Sequence, residues 1–302
     1  MSSAPAKRPE VSVVICTRDR PEQLRRALVS LAEQTIERSS FEVIVVDNGG
    51  GVEDLARSAG ADIVLREQEP GASRARNTGW RAASSELIAF LDDDAVAASD
   101  WLEQALRVYR DPNRTVAAMG GPALPLWETP RPAWFPEKHE DRWFGDEERV
   151  LEPGESLSAL NVFFARELLE RLNGFDVRLG PMGDRIGVGE EPELFQRLWN
   201  EDPQPVAVYS PAIVVRHAVP PYKLSVRYQL RRAAAYGESV MIRYGAPANQ
   251  RPGLALEYLR DSAKLTWTAL RRLRRPLRGW AVDELEPAAV RMGMFLAVVR
   301  GK

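Results

Sequence analysis

The chain has 302 residues, 44% of them hydrophobic, so it can bury one large core or two modest ones. Its net charge of −2 argues against a nucleic-acid partner, because nucleic-acid-binding domains are usually strongly basic. The only cysteine, Cys16, excludes an intramolecular disulfide and favours a reducing compartment. No apolar leader follows Met1, and the late apolar run 292–299 is too short to span a bilayer. We therefore expect a cytoplasmic protein.

The first half of the chain alternates short, β-branched strands with amphipathic helices. This pattern predicts an α/β fold with a mostly parallel central sheet, flanking helices and right-handed crossovers. Ligands of such sheets bind at the carboxyl ends of the strands. The predicted strands are 11–16, 41–46, 61–65 and 87–91, and the predicted helices begin at Pro21, after Gly71 and at a cap, Ser99.

The second half is less regular. Residues 121–153 are rich in proline and tryptophan and predict a long loop region, which in a compact domain is often functional. From Tyr222 onward the pattern is mainly helical. Before that point the predicted strands are 161–164, 206–209 and 213–215, and the predicted helices are 166–172 and 191–200.

Three adjacent carboxylates follow the fourth predicted strand, in the sequence FLDDDA. Asp92, Asp93 and Asp94 suit a hard divalent cation such as Mg²⁺ or Mn²⁺, which often bridges carboxylates to a substrate phosphate. The alternative is a solvated acidic turn. An EF-hand is excluded because Val96 and Ala98 stand where oxygen ligands are needed. An aspartyl phosphatase is disfavoured because its acids would follow the first strand.

Two further segments could contact a nucleotide. Arg74 and Arg76 flank a predicted helix start in GASRARNTGW, and arginine offers several planar donors to phosphates. Solvated arginines are the alternative. Asp47 ends the second strand and could accept from a nucleobase or a ribose hydroxyl, or could simply form a turn. Neither a P-loop nor a G-x-G-x-x-G turn follows a strand, which excludes those nucleotide sites.

Acids and a histidine later in the chain are candidate catalytic or binding groups. Glu190 and Glu191 open a predicted helix in GEEPEL, where either carboxylate could act as a general base or merely complement the helix dipole. His217 follows a strand in VVRHAVPP and is either a ligand or a structural residue.

Together these segments resemble inverting glycosyltransferases of family 2, which have the GT-A fold. The resemblance covers about residues 11 to 244 and rests on motifs that occur in order. They are VVICTRDRP (13–21), VVDNG (45–49), GASRARNTG (71–79), FLDDD (90–94), NGFD (173–176), GEEPEL (189–194) and Arg216-His217.

The resemblance implies a role for each candidate residue. Asp94 would ligate Mn²⁺ or Mg²⁺ and complete a D-x-D motif with Asp92, and His217 would supply a further ligand. Glu191 would be the general base, at a position where the family usually has aspartate, and Glu190 is the second candidate, which would otherwise orient the acceptor. The residues expected around the nucleotide, the ribose and the diphosphate are Thr17, Arg18, Asp47, Arg76, Asp92 and Asp93.

The implied reaction moves a sugar from a nucleoside-diphosphate sugar to an acceptor hydroxyl by metal-assisted single displacement. UDP or dTDP sugars are favoured over GDP sugars, and the acceptor would be a carbohydrate, a lipid-linked molecule or a small molecule in polysaccharide, cell-envelope or glycoconjugate biosynthesis. We expect a GT-A domain over 1–221 and a basic helical region over 222–302. Within the GT-A domain, about 9–121 would bind the nucleotide and about 122–221 the acceptor.

Two rival functions fit less well. A sugar-nucleotide nucleotidyltransferase would normally carry a glycine-rich basic loop after the first strand, where this chain has CTRDR. A non-enzymatic carbohydrate-binding module could use Trp127, Trp134 and Trp143, but it does not account for acids at strand ends.

The C-terminal region is strongly basic, with 16 Lys and Arg against 6 Asp and Glu over 222–302. Peripheral contact with the inner face of a membrane and packing on the catalytic domain both fit such a stretch. Pro276 would kink or break its helix. The apolar face would comprise Leu265, Ala269, Leu270, Leu273, Leu277 and Trp280, and the basic face Arg271, Arg272, Arg274, Arg275 and Arg278.

Overall fold

A computed structural model describes residues 8–136, 139–201, 205–245, 251–271 and 277–301. The chain divides into two compact units. The first comprises 1–126, 140–177 and 191–218, and the second comprises 127–139, 178–190 and 219–302. Two short segments from the middle of the chain therefore belong with the C-terminal helices, whereas the sequence suggested a boundary at 221/222.

Strands and helices alternate through the first part of the chain, as their hydrophobic pattern predicts. The strands are β1 (Val11–Thr17), β2 (Phe41–Asp47), β3 (Ile63–Arg66) and β4 (Leu87–Leu91). The helices are α1 (Pro21–Ala32), α2 (Glu53–Ser58) and α3 (Ala72–Ala82). A short strand, β5 (Ala95–Ala97), and helix α4 (Trp101–Tyr109) follow.

The remaining strands extend the sheet and form a second, smaller one. They are β6 (Val116–Gly120), β7 (Ala123–Trp127), β8 (Arg149–Val150), β9 (Asn161–Ala165), β10 (Val206–Tyr209) and β11 (Val215–Val219). Helices α5 (Arg166–Arg171) and α6 (Glu190–Trp199) lie between β9 and β10 in the chain.

The large sheet has the strand order β3-β2-β1-β4-β9-β6-β10-β8, and the small one β5-β11-β7. Strands β3, β2, β1 and β4 are parallel, and β9 runs antiparallel between β4 and β6. In this register Thr17 pairs with Asp47, so β1 and β2 end side by side. The predicted α/β class with a mostly parallel sheet is confirmed.

Side chains alternate between two hydrophobic clusters, one on each face of the large sheet. Val13 and Ile15 of β1 point into one cluster, while Val14 points into the other. Because both faces are covered, the parallel strands are almost continuously apolar and buried. Polar residues are left for the strand ends.

Several predicted boundaries were wrong by one or two residues, and two of these shifts have a clear cause. The strand predicted at 213–215 is β11, which begins at Val215, because Ile213 instead turns back to the carbonyl of Ser210. Helix α4 begins at Trp101 rather than at a Ser99 cap. The Gln34 side chain accepts from the Leu102 amide at 2.9 Å, so a residue distant in sequence caps this helix.

The second unit contains three long helices, α7 (Val226–Tyr244), α8 (Arg251–Arg271) and α9 (Leu277–Val299), which confirms the predicted helical C-terminus. Helices α7 and α9 approach closely where a Cβ on Gly293 would lie 1.8 Å from the Ala234 carbonyl oxygen. Residues 272–276 and the side chains of 277–281, which include most of the predicted basic face, lie outside the described part of the chain. Among the described residues, no helix combines the length and apolar character needed to cross a membrane.

Candidate active site at the strand ends

The polar site of the first unit forms where β1, β2 and β4 end. Thr17 and Asp47 are paired in register, and Thr17 Oγ1 donates to Asp93 Oδ2 at 2.7 Å. Thr17, Asp47 and Asp93 are each at most 5% exposed. The structure thus brings together residues predicted from three separate motifs.

Asp47 occupies the end of β2 with its two oxygens in different surroundings. Oδ1 accepts from the amides of Gly49 and Gly50 at 3.0 and 2.6 Å and lies 3.1 Å from Arg66 Nη1. Oδ2 makes no hydrogen bond with any described residue. Asp47 therefore forms the turn that the sequence allowed as an alternative, and it still has an acceptor oxygen for a ligand.

Asn48 holds the surrounding loops in place. Its backbone amide donates to the Thr17 carbonyl at 2.8 Å, and its side-chain Nδ2 donates to the carbonyls of Glu67 and Glu69 at 2.9 and 2.8 Å. Its Oδ1 accepts from the Gly71 amide at 2.8 Å. One side chain thereby joins the segments after β2 and β3 to the start of α3.

Two arginines lie against the three adjacent aspartates. Arg76, only 5% exposed, contacts Asp92 Oδ1 at 3.0 Å, and Arg20 lies 3.2 Å from Asp93 Oδ1 and 3.7 Å from Asp94 Oδ2. Arg76 was predicted to line the pocket, whereas Arg20 was not singled out, although it lies in the first motif. Part of the positive charge that the aspartates require is therefore supplied by the chain itself.

The pKa of the central aspartate reflects its surroundings. Burial, the largest cause, together with the neighbouring Asp94 and Asp92 carboxylates raises the pKa of the Asp93 carboxyl to about 6, although Arg20 and the Thr17 hydroxyl act in the opposite direction. Burial likewise raises the pKa of the Cys16 thiol to about 12, so a thiolate nucleophile is not available here.

Arg18 is the most open of the predicted nucleotide contacts, with 37% of its side chain exposed. Its Nε lies 3.6 Å from Asp19 Oδ2. Its Nη1 is enclosed and makes no hydrogen bond with any described residue. This nitrogen can donate to an anionic oxygen that reaches it.

Asp94 and His217 lie on neighbouring chain segments. The Asp94 carbonyl accepts from the Ala218 amide at 2.8 Å, and His217 pairs with Ala95 in the small sheet. His217 is 2% exposed, and its Nε2 lies 2.7 Å from the Glu140 carbonyl oxygen. Because a carbonyl only accepts, Nε2 donates in this contact, and in a neutral ring Nδ1 would then have the lone pair that a metal ligand needs.

Asp94 and His217 alone could not hold a divalent cation, which would have to share its ligands with a substrate. Among the described residues, no group of three or more His, Cys, Asp or Glu side chains is arranged to hold a metal alone. One carboxylate and one imidazole supply too few ligands for Mg²⁺ or Mn²⁺, which prefer about six. Diphosphate oxygens and water would complete such a shell.

Glu191 is tied to the loop before β9. Its Oε1 accepts from the Ala159 amide at 2.9 Å, while Oε2 makes no hydrogen bond with any described residue. The carboxylate is thus oriented and keeps one basic oxygen. Glu190, the first residue of α6, is 4% exposed and is assigned to the second unit.

A clamp on α3 positions Arg76 from the NGFD segment. Asn77 Nδ2 donates to the Phe175 carbonyl at 2.8 Å, and its Oδ1 accepts from the Phe175 amide and from Trp80 Nε1 at 2.9 and 3.0 Å. The Phe175 ring, held edge-on against Phe90 at 5.1 Å, lies 5.6 Å from the Arg76 guanidinium. Sequence reasoning assigned no role to Asn77 or Phe175.

We expect Asn77→Ala to lower the free energy of unfolding by about 2–4 kcal/mol, because it leaves buried backbone and indole groups without partners. Urea unfolding measures the change. Asn113→Ala, at an exposed turn where the amide contacts only Asp111, should change stability by less than about 0.5 kcal/mol. Equal effects of the two substitutions would contradict the clamp.

The sequence profile named Glycosyl transferase family 2 matches residues 12–154, a range that holds every strand-end residue described above except His217. In Haloferax volcanii, a glucosyl-dolichyl phosphate glucuronosyltransferase is 26% identical over 76% of this chain and 76% of its own length. A pre-mycofactocin glycosyltransferase of Mycobacterium tuberculosis is 28% identical over 78% of this chain but only 48% of its own length.

A solved structure agrees on the fold. A mannosyltransferase from Pyrobaculum calidifontis, in complex with GDP-Man and Mn²⁺, superposes with a TM-score of 0.60. The superposition covers 95% of this chain and 89% of the other, at 24% identity. The GT-A architecture is therefore shared over nearly the whole chain. Residues 12–154 match glycosyl transferase family 2, and the fold, the ordered motifs and the relatives agree that the chain is a glycosyltransferase.

Proposed function

We propose that the protein transfers a sugar from a nucleoside-diphosphate sugar to an acceptor hydroxyl in one displacement, with inversion at the anomeric carbon. The observation that carries this proposal is the convergence of Asp47, Arg76 and the aspartates 92–94 at adjacent strand ends. A diphosphate needs cationic donors, a ribose or base needs acceptors, and both occur there within one unit.

In this proposal the chain binds the donor through groups that are already positioned. Asp47 Oδ2 accepts from the nucleobase or ribose, and Arg18 Nη1 donates to a phosphate oxygen. Arg76 Nη2 lies 3.0 Å from Asp92 Oδ1, and the Arg76 guanidinium also contacts the Phe175 ring. Asp92 and Asp93 face the ribose and the diphosphate. Thr17 keeps the Asp93 carboxyl in place.

Asp94 and His217 would hold Mn²⁺ or Mg²⁺ beside the diphosphate. When bound, such a cation offsets the charge that grows on the leaving diphosphate. The solved mannosyltransferase carries Mn²⁺ with its sugar nucleotide, which supports a divalent cation in this protein also.

Glu191 is the proposed base. Oε1 fixes the carboxylate on the Ala159 amide, and Oε2 takes the proton of the attacking acceptor hydroxyl. Removing this proton is worth about 10²- to 10⁴-fold in rate. Glu190 is the proposed residue for orienting the acceptor.

For the donor we propose a uridine or thymidine diphosphate sugar ahead of a guanosine one, although the solved mannosyltransferase contains GDP-Man. For the acceptor we propose a lipid-linked sugar in envelope or glycoconjugate synthesis. The name of the Haloferax relative, which includes a dolichyl phosphate, supports this choice.

Thermal unfolding tests donor binding with UDP, dTDP and GDP, each with Mn²⁺ or with EDTA. We expect at least one diphosphate with Mn²⁺ to raise the melting temperature by several degrees, because about 100 Kd of ligand stabilises the folded state by roughly 2.7 kcal/mol. EDTA should remove most of this rise.

Asp47→Asn should reduce the nucleotide-induced rise, and Asp54→Asn on the exposed face of α2 should not. Equal rises with EDTA and with Mn²⁺ would overturn metal assistance. The absence of a rise with every diphosphate would overturn the proposed donor class.

A further inference from the structure

Helix α8 of the second unit has two very different faces. One face packs within the unit, where Ser262 Oγ donates to the Ala288 carbonyl at 2.9 Å and Ala269 is 1% exposed. Leu254 and Tyr258 contact a small core formed by Met241, Ala297 and Val298. These contacts fix which side of α8 faces away from its neighbours.

The opposite face exposes four large apolar side chains. Leu256, Leu259, Trp267 and Leu270 are 69%, 39%, 59% and 53% exposed. Their spacing, together with exposed Ala263, keeps them on one side of a helix over about 21 Å. Single exposed apolar residues are ordinary, but a patch that approaches several hundred Å² marks an interaction surface.

Basic side chains flank these apolar residues. Arg260, Lys264 and Arg271 are exposed on the same side of α8, and the Arg271 guanidinium lies 5.0 Å from the Trp267 ring. Glu257 is the only exposed acid on the helix. The charge of the whole segment 222–302, with 16 basic and 6 acidic residues, has the same sign.

We propose that this face of α8 lies on an anionic lipid surface, with Leu256, Trp267 and Leu270 in the boundary between headgroups and acyl chains. Exposed leucine and tryptophan between arginine and lysine is the composition of helices that bind in the plane of a membrane. The charge selects lipid over a second copy of the unit, because two equally basic faces would repel each other.

This surface differs from the one that the sequence suggested. The sequence placed the amphipathic stretch at 265–280, whereas the described apolar stripe begins nine residues earlier, at Leu256, and ends at Leu270. Leu265 and Ala269, predicted on the apolar face that could meet a membrane or pack within the protein, are partly and fully buried, respectively. The packing of α8 on its neighbours decides which side of the helix faces solvent. The helical period of the sequence alone could not predict that side.

Vesicle flotation of the full chain tests the proposal, with phosphatidylcholine vesicles and with vesicles that also contain phosphatidylglycerol. We expect binding to the anionic vesicles that weakens with added salt. Replacing Arg260 and Lys264 by glutamine should lower the partition coefficient about tenfold or more, since each basic residue near such a surface contributes about 1 kcal/mol.

Replacing Trp267 and Leu270 by serine should lower the partition coefficient by a similar factor, because their apolar area no longer leaves water. Trp143→Ser, at a tryptophan of the first unit that is 49% exposed, is the matched control and should bind as the parent does. The proposal is overturned by absent flotation, or by equal losses in the α8 variants and the control. It is also overturned by self-association that these variants abolish.

The membrane surface rests on the proposed function, because a lipid-linked acceptor would be found at a membrane. The membrane surface and the proposed donor binding can nevertheless be tested separately. The α8 variants should keep the metal-dependent stabilisation by diphosphates described above, because none of the replaced residues belongs to the strand-end site. Lost flotation with unchanged nucleotide binding removes only the membrane surface. Intact flotation without nucleotide binding removes only the proposed donor class.

Discussion

Asp94→Ala is expected to abolish glycosyl transfer while the protein stays folded. Its carboxylate is the chain's proposed oxygen ligand to the cation beside the leaving diphosphate. Loss of a group that acts on developing charge lowers kcat by about 10²- to 10³-fold or more. Steady-state assays with the best donor from the nucleotide panel measure the change.

The folding control for Asp94 follows from its contacts. The ion pair to Arg20 spans 3.7 Å and Arg20 is 44% exposed, so its loss should change the free energy of unfolding by less than about 1 kcal/mol. Asp54→Ala, at an exposed position, should retain full activity. Near-normal turnover of folded Asp94→Ala protein would refute the assigned role.

Glu191→Gln is expected to lower kcat by about 10²- to 10⁴-fold, with little effect on donor binding. The amide oxygen of glutamine still accepts from the Ala159 amide, so the loop before β9 keeps its hydrogen bond. The substitution removes only the negatively charged carboxylate, and with it the oxygen that would accept the acceptor's proton. In pH–rate profiles the acidic limb that reports the base should vanish together with the activity.

Glu190→Gln is the decisive comparison for this prediction. A neighbouring carboxylate that orients the acceptor should affect acceptor KM more than kcat. If Glu190→Gln lowers kcat further than Glu191→Gln does, the base is Glu190. If neither variant loses activity, the acid pair is structural.

The sheet and the ligand edge were predictable because both follow from local patterns. Apolar β-branched runs predict buried parallel strands, and each run in the first half ends in a polar residue, as at Thr17, Asp47 and Asp92. Strands β1, β2 and β4 accordingly begin where they were predicted, and Leu87–Leu91 matches at both ends.

The supporting contacts were not predictable, because they join residues far apart in sequence. Asn77 meets Phe175 across 98 positions, and Gln34 caps a helix that begins 67 residues later. Arg20 is separated from Asp93 by 73 positions. No sequence periodicity links such pairs. The assignment of segments 127–139 and 178–190 to the second unit was unpredictable for the same reason, because it depends on contacts between residues far apart in the chain.

The network around Asn48 affects the thermodynamics of donor recognition. Four hydrogen bonds fix the ends of β1, β2 and β3 and the start of α3 before any nucleotide arrives. The conformational entropy of these loops is therefore lost during folding and need not be lost again on association. A sugar nucleotide therefore binds to loops that are already ordered. More of its binding energy then remains available to lower the activation barrier for breaking the bond between the sugar and the diphosphate.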